Sequence, residues 1–157
     1  MRDAKREDHI TRYAAVVPAD DEDCPKFKQF LSDIQTPGVI AYLKRLMGYI
    51  LTGSVKEEIF VFFYGTGQNG KGTLVKIVVA VLGDYAGILP TQTLLAGKNQ
   101  RHPTEIAKLE GLRMAAASET TDGNFWNEGR LKALTGGDKQ TGRKMRQDFS
   151  DFEPTHS

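Results

Sequence analysis

The sequence predicts an α/β fold, a parallel sheet flanked by helices with a small helical module in front of it. Three observations carry that prediction. An apolar run at residues 59–64 (Ile59, Phe60, Val61, Phe62, Phe63, Tyr64) enters a glycine-rich turn at residues 65–73, Gly65-Thr66-Gly67-Gln68-Asn69-Gly70-Lys71-Gly72-Thr73. The turn opens into residues 74–82, where Leu74, Ile77, Val78, Val81 and Leu82 recur at helical spacing and Gly83 follows as a stop. A second apolar run at residues 112–117 leads to Glu119 and is framed by Gly111 and by Thr120-Thr121-Asp122-Gly123. Strand, loop, helix and a later strand ending in a carboxylate make the parallel-sheet arrangement the economical one. The run at 59–64, rich in aromatic and β-branched residues, is expected to be a strand covered on both faces.

Length and charge bound the rest. A chain of 157 residues can bury a core and fits one domain with a small appendage. Lys and Arg number 21 against 20 Asp and Glu, a net charge of +1, so any nucleic-acid contact has to be local rather than global. Cys24 is the only cysteine, which excludes an intramolecular disulfide and a cysteine-based zinc cluster. The charged first residues lack an apolar signal core and no apolar run approaches the ~20 residues that span a bilayer, so a cytoplasmic protein without a membrane partner is expected.

Taken in order, residues 1–24 mix charges with the patch Ala14-Ala15-Val16-Val17 and the acidic run Asp20-Asp21-Glu22-Asp23, and read as a loosely held leader. Pro25 opens a helix through Phe27, Phe30, Leu31 and Ile34, ended by Thr36-Pro37-Gly38. A second helix carries Val39, Leu43, Leu46, Met47 and Ile50 on one stripe and stops at Thr52-Gly53. Residues 1–54 thus form a leader and helical module, and residues 55–157 the core. Beyond Gly83 a turn and short extended piece reach Pro90, residues 91–95 suit one helical turn, and residues 97–101 are a polar loop holding no apolar pattern. Pro103 starts a helix through Ile106, Ala107 and Leu109; His102 before it reads as a loop histidine. Residues 125–134 suit a further helix with Trp126, Leu131 and Leu134 apolar, and residues 139–149 a basic hairpin or extended loop.

The glycine-rich turn has a chemical reading. Glycines let successive backbone N–H groups approach a polyphosphate without side chains in the way, and the following helix N-terminus adds partial positive charge. Lys71 stands where a compact cation meets the β- and γ-phosphates. The general pattern places Ser or Thr directly after that lysine to hold Mg²⁺; here Gly72 takes the position and Thr73 follows one residue later. Glu119, at the end of the second apolar run, suits metal-bound or attacking water if that strand neighbours the loop. Lys139, Arg143, Lys144 and Arg146, interleaved with Met145 and Phe149, suit a phosphate backbone, although a solvated hairpin with no ligand explains the composition equally well.

Together these pieces resemble the superfamily 3 helicase domain of phage and plasmid primase-helicases, a viral and mobile-element branch of the AAA+ ATPases. Residues 65–73 are similar to its Walker A loop, in which glycine after the lysine is a familiar variant; Ala117-Ser118-Glu119-Thr120 looks like its Walker B end. Residues 131–138, with Arg143 and residues 145–149, resemble the segment bearing its DNA-facing hairpin, and residues 46–53 its preceding small domain. The resemblance implies a P-loop NTPase of AAA+ type and an ATP-dependent DNA helicase. Gly65, Gly67, Asn69, Gly70, Lys71, Gly72 and Thr73 would bind ATP, Thr73 and Glu119 would hold Mg²⁺, and Lys71 and Glu119 would serve catalysis. Some of Lys139, Arg143, Lys144 and Arg146 would contact single-stranded DNA. It also implies a homo-oligomeric ring, a hexamer, and a phage, prophage or plasmid gene in a bacterial host. The family's sensor strand and trans-acting arginine finger follow a segment like residues 152–155, so a core incomplete at its C-terminal end is expected, one that binds ATP but turns it over weakly. A phosphate-loop small-molecule kinase with Arg143, Lys144 and Arg146 as a lid, and an inactive nucleotide-binding remnant, are the competing readings.

Overall fold

The computed structural model describes residues 5–8, 10–21, 23–96, 103–117 and 125–156. Two helices come first, α1 (Pro25–Ile34) and α2 (Pro37–Thr52). Each begins with proline, whose missing N–H costs nothing in a first helical turn. α2 stops at Gly53, left-handed at φ 67°, whose N–H reaches the Ile50 carbonyl at 3.1 Å. Then follow α3 (Lys71–Leu82), β1 (Ala86–Leu89), α4 (Pro103–Ala107), β2 (Met114–Ala117), α5 (Glu128–Thr135), β3 (Gln140–Arg143) and β4 (Phe149–Phe152). β1 and β2 pair in parallel with Ala86 opposite Met114 and Leu89 opposite Ala117. β3 and β4 form an antiparallel hairpin with Gln140 opposite Phe152 and Arg143 opposite Phe149. This mixed α/β arrangement is compatible with a phosphate-loop fold.

Two apolar clusters hold the elements together. In one, Leu43, Leu46 and Ile50 of α2 meet Leu74, Val78 and Leu82 of α3, each set at helical spacing, so the N-terminal helices share a core with α3. In the other, Leu89, Leu94, Ile106, Leu109, Leu112, Leu134 and Phe152 join β1, α4, α5 and the hairpin. The hairpin lies so close to α4 that a Cβ on Gly142 would fall 2.7 Å from both the Ala107 nitrogen and its Cα. Only glycine allows that approach. Among the described residues no helix is long and apolar enough to cross a membrane.

Three expectations need correction. Residues 59–64 are extended but pair with no described strand, so the doubly covered strand is not formed there. The run alternates instead: Ile59 and Val61 pack against the α2–α3 cluster, while Phe60, Phe62 and Tyr64 are 46%, 60% and 88% exposed. One covered face suffices for Ile59 and Val61, whereas Phe63 is 38% exposed; Phe60 and Phe62 meet the Trp126 ring and Phe62 stacks on Tyr64. The leader, secondly, is not loose at residues 12–15. The Ala15 N–H donates to the Val81 carbonyl at 3.2 Å and the Asp84 N–H to the Tyr13 carbonyl at 3.2 Å. Arg12 donates to the carbonyls of Asp84 and Glu110, so its fork closes backbone acceptors at the end of α3 and after α4. Thirdly, α5 starts at Glu128 rather than near Phe125. Residues 125–127 are extended against 94–96, and Asn127 caps the helix by accepting from the Arg130 N–H at 3.0 Å.

Candidate functional site

The glycine-rich loop is built by backbone conformations that side chains resist. Gln68 and Gly70 stand at φ 62° and 82°, and Gly70 is the residue from which α3 starts. Gly70 also has no room: a Cβ there would lie 2.9 Å from Ile34 Cδ1 and 3.3 Å from Phe30 Cε2, both on α1. Among the described residues no side chain caps α3, so the first-turn N–H groups keep their donor capacity facing outward. Lys71, the first helical residue, bends back over the loop. Its ammonium donates to the Gly65 carbonyl at 3.0 Å and to Asn69 Oδ1 at 2.6 Å.

Gly67 and Gly72 are a different case. Neither has a positive φ and neither would bring a Cβ within 4 Å of anything. Inside a first helical turn, glycine costs about 0.8–1 kcal/mol relative to alanine, and nothing in the chain requires it at 72. The same openness at Gly38 and Gly48 of α2 shows that open glycines alone are not diagnostic. At 67 and 72 they leave the approach to an uncapped helix start and a lysine unobstructed, which suits a polyphosphate without requiring glycine at either position. Thr73 is exposed in that first turn.

The partner carboxylate has less to report. β2 ends at Ala117, and Met114 at its start packs against the cluster that buries Leu74 and Val78 of α3, so β2 and α3 are joined. Glu119 lies outside the described residues, as does His102. Among the described residues no three His, Cys, Asp or Glu side chains gather as a metal site.

The basic segment is a hairpin, one of the two forms its sequence left open; Gly142, its one turn-favouring glycine, lies inside β3, and the turn itself falls at residues 144–148. Arg143 lies over the Phe149 ring at 5.2 Å, and Lys144 pairs with Glu110 at 2.7 Å, which ties the hairpin turn to the turn that follows α4. Arg146, at φ 60°, and Met145, 78% exposed, form the tip, with Lys139 exposed just before β3. Of the four cations expected to meet DNA, Arg143 and Lys144 are engaged within the protein and Lys139 and Arg146 face outward.

Among the described residues two buried ionisable side chains, Arg130 and His156, escaped the sequence. Arg130 is 5% exposed and Nη1 donates to the Thr93 carbonyl, while Nε and Nη2 find no partner among the described residues. Thr93, itself 1% exposed just beyond β1, also donates its hydroxyl to Glu105 at 2.8 Å. His156 is 4% exposed, neither ring nitrogen is bonded among the described residues, and burial lowers its pKa from 6.5 to about 4. Neither position carries a sequence signal: Arg130 sits among charged and small residues and reads as a surface cation.

No family model matches the chain. It is similar to the candidate helicase L207/L206 of Acanthamoeba polyphaga mimivirus, 29% identical over 141 residues, covering 88% of this chain and 15% of that protein. It is similar to the candidate helicase 022R of Frog virus 3, 30% identical over 120 residues, covering 74% of this chain and 12% of that protein. It is similar also to the candidate primase C962R of African swine fever virus, 28% identical over 116 residues, covering 70% of this chain and 12% of that protein. The chain therefore spans only about an eighth to a sixth of the curated relatives it matches, 12% to 16% of their length. These relatives come from viruses of eukaryotes, so they lend no support to a phage or plasmid origin or a bacterial host. By similarity over most of its length, this chain is a relative of proteins named as viral helicases and primases.

Proposed function

We propose that this chain binds ATP with Mg²⁺ at residues 65–73 and forms part of a replicative DNA helicase of superfamily 3 type. In the complete protein, a homo-oligomeric ring, hexameric in this reading, ATP hydrolysis drives the β3–β4 hairpin along single-stranded DNA. The observation that carries the reading is the start of α3: an uncapped helix N-terminus, open glycines at 67 and 72, and the Lys71 ammonium held over the loop. The names of the relatives agree with it at the level of helicase and primase.

Each residue then has a task. The N–H groups of Gly70, Lys71, Gly72 and Thr73 receive phosphate oxygens, and Gly65, Gly67 and Asn69 shape the approach. Lys71 exchanges the Gly65 carbonyl and Asn69 for the β- and γ-phosphates. Thr73 and Glu119 would hold Mg²⁺, which when bound neutralises charge on the phosphate oxygens. Glu119 orients water for attack on the γ-phosphorus and takes its proton as the bond to the bridging oxygen breaks and ADP leaves. Arg146 and Lys139 are the hairpin cations with most freedom to meet a DNA backbone.

The test is equilibrium binding of a fluorescent ATP analogue with Mg²⁺ to wild type and Lys71→Ala, with hydrolysis recorded in the same samples with and without single-stranded DNA. Binding that disappears in a folded Lys71→Ala supports the reading. A folded wild type that binds no nucleotide refutes it.

A further inference from the structure

The last turn of α1 rests on the residue that aims the phosphate loop. Phe30 and Ile34 are four positions apart on one face of α1, and a Cβ on Gly70 would lie 2.9 Å from Ile34 Cδ1, 3.0 Å from Ile34 Cγ2 and 3.3 Å from Phe30 Cε2. They are therefore packed onto the Gly70 backbone itself. Gly70 is left-handed at φ 82° and its carbonyl accepts the first hydrogen bond of α3, from the Leu74 N–H at 2.9 Å. A rotation at Gly70 would redirect the N–H groups of the residues that follow, and the apolar pair opposes that rotation. Elsewhere the α1–α3 interface is open: a cavity of about 570 Å³ lies between α1, α2 and α3, walled by Phe27, Phe30, Met47, Ile77 and Val81 among others. The seat on Gly70 is where the position of α1 is passed to the loop.

We propose that Ile34 and Phe30 are positioning residues for the phosphate loop, so that nucleotide affinity depends on the seating of α1 on Gly70. The inference rests on the nucleotide-binding reading given above and adds control of it by the N-terminal helical module. Filling a pre-set loop is favoured because the donors need no reorganisation when the phosphates arrive. Removing the seat leaves the donors in place but lets them wander.

The experiment is a titration of the fluorescent ATP analogue with Mg²⁺ into wild type, Ile34→Ala, Ile34→Val and Met47→Ala, each paired with a urea unfolding curve. Met47 lines the same cavity and packs against the same cluster, and it supplies none of the three atoms nearest a Cβ on Gly70, so it reports general loosening. Ile34→Ala should weaken affinity about tenfold, because ordering the loop donors would then be charged against binding. Ile34→Val, which keeps the Cγ2 contact, should recover most of it. Met47→Ala should stay within about twofold of wild type at a matched loss of stability, because packing alone does not aim the donors. Wild-type affinity in Ile34→Ala, or an equal loss in Met47→Ala, overturns the inference while leaving the binding site standing. A folded wild type that binds nothing overturns the nucleotide-binding reading and the inference with it.

Discussion

His156 makes the stability of this protein depend on pH in a way that can be worked out in advance. Its ring is 4% exposed and neither nitrogen has a partner among the described residues, so the neutral imidazole is the form that folds. Burial lowers its pKa from 6.5 to about 4, and the unfolded chain keeps the ordinary value. Above pH 6.5 neither state holds the proton and the histidine costs nothing. Between 6.5 and 4 the unfolded state takes up a proton that the folded state refuses, so stability falls as pH falls; below about 4 both are protonated and the loss levels off. Linkage gives a loss of about 2 kcal/mol at pH 5 and about 3 kcal/mol at pH 4. The assay is urea denaturation of wild type and His156→Leu at pH 8, 6, 5 and 4. Carboxylates and the other histidines titrate in both proteins, so the difference between the two curves isolates His156. The gap should open by about 2 kcal/mol between pH 8 and 5. Parallel curves would mean that the imidazole is protonated, or solvated, in the folded state, and would refute the argument.

Two further outcomes concern glycines used for opposite reasons. Gly142→Ala puts a methyl carbon 2.7 Å from the backbone of Ala107, where neither chain has a flexible end to give way, so it should cost about 1–3 kcal/mol in urea unfolding as the hairpin is pushed off α4. An unchanged midpoint would show that the hairpin is not held by that approach. Gly72→Ser meets open space in the first turn of α3, so it should raise stability by about 0.5 kcal/mol through helix propensity while leaving the Mg²⁺–ATP analogue bound. Loss of binding in a folded Gly72→Ser would show that the loop needs a bare backbone at 72.

What the sequence made legible was local. Prolines at the starts of α1 and α2, Gly53 at the end of α2, and Gly70 and Lys71 at the start of α3 all declare themselves within a few residues. What stayed hidden depends on partners far along the chain. Arg12 reaches the Glu110 carbonyl 98 positions away, Arg130 the Thr93 carbonyl 37 away, and Thr155 donates to the Leu112 carbonyl 43 away, next to the buried His156. Composition says only that Arg and His are usually exposed, and the fold overrides that prior here. The run at 59–64 misled for another reason. Six apolar residues in a row satisfy both a doubly covered strand and an extended segment with one covered face, and no period within the run separates the two.

That second arrangement bears on how the loop works. Ile59 and Val61 join the cluster of α2 and α3, while Phe60 and Phe62 meet the Trp126 ring at centroid distances of 5.9 and 6.0 Å. The segment leading toward Gly65 is therefore met from two sides by parts of the chain that flank the site in sequence: the N-terminal helices at Ile59 and Val61, and Trp126, just before α5, at Phe60 and Phe62. α1 grips the other end of the loop at Gly70. A glycine-rich loop has little stiffness of its own, because each glycine removes a restraint on the backbone. Its geometry must then come from what is clamped at its two ends. In this chain those clamps are Ile34 and Phe30 at one end and Trp126 at the other, and none of them belongs to the motif by which such a loop is read in a sequence.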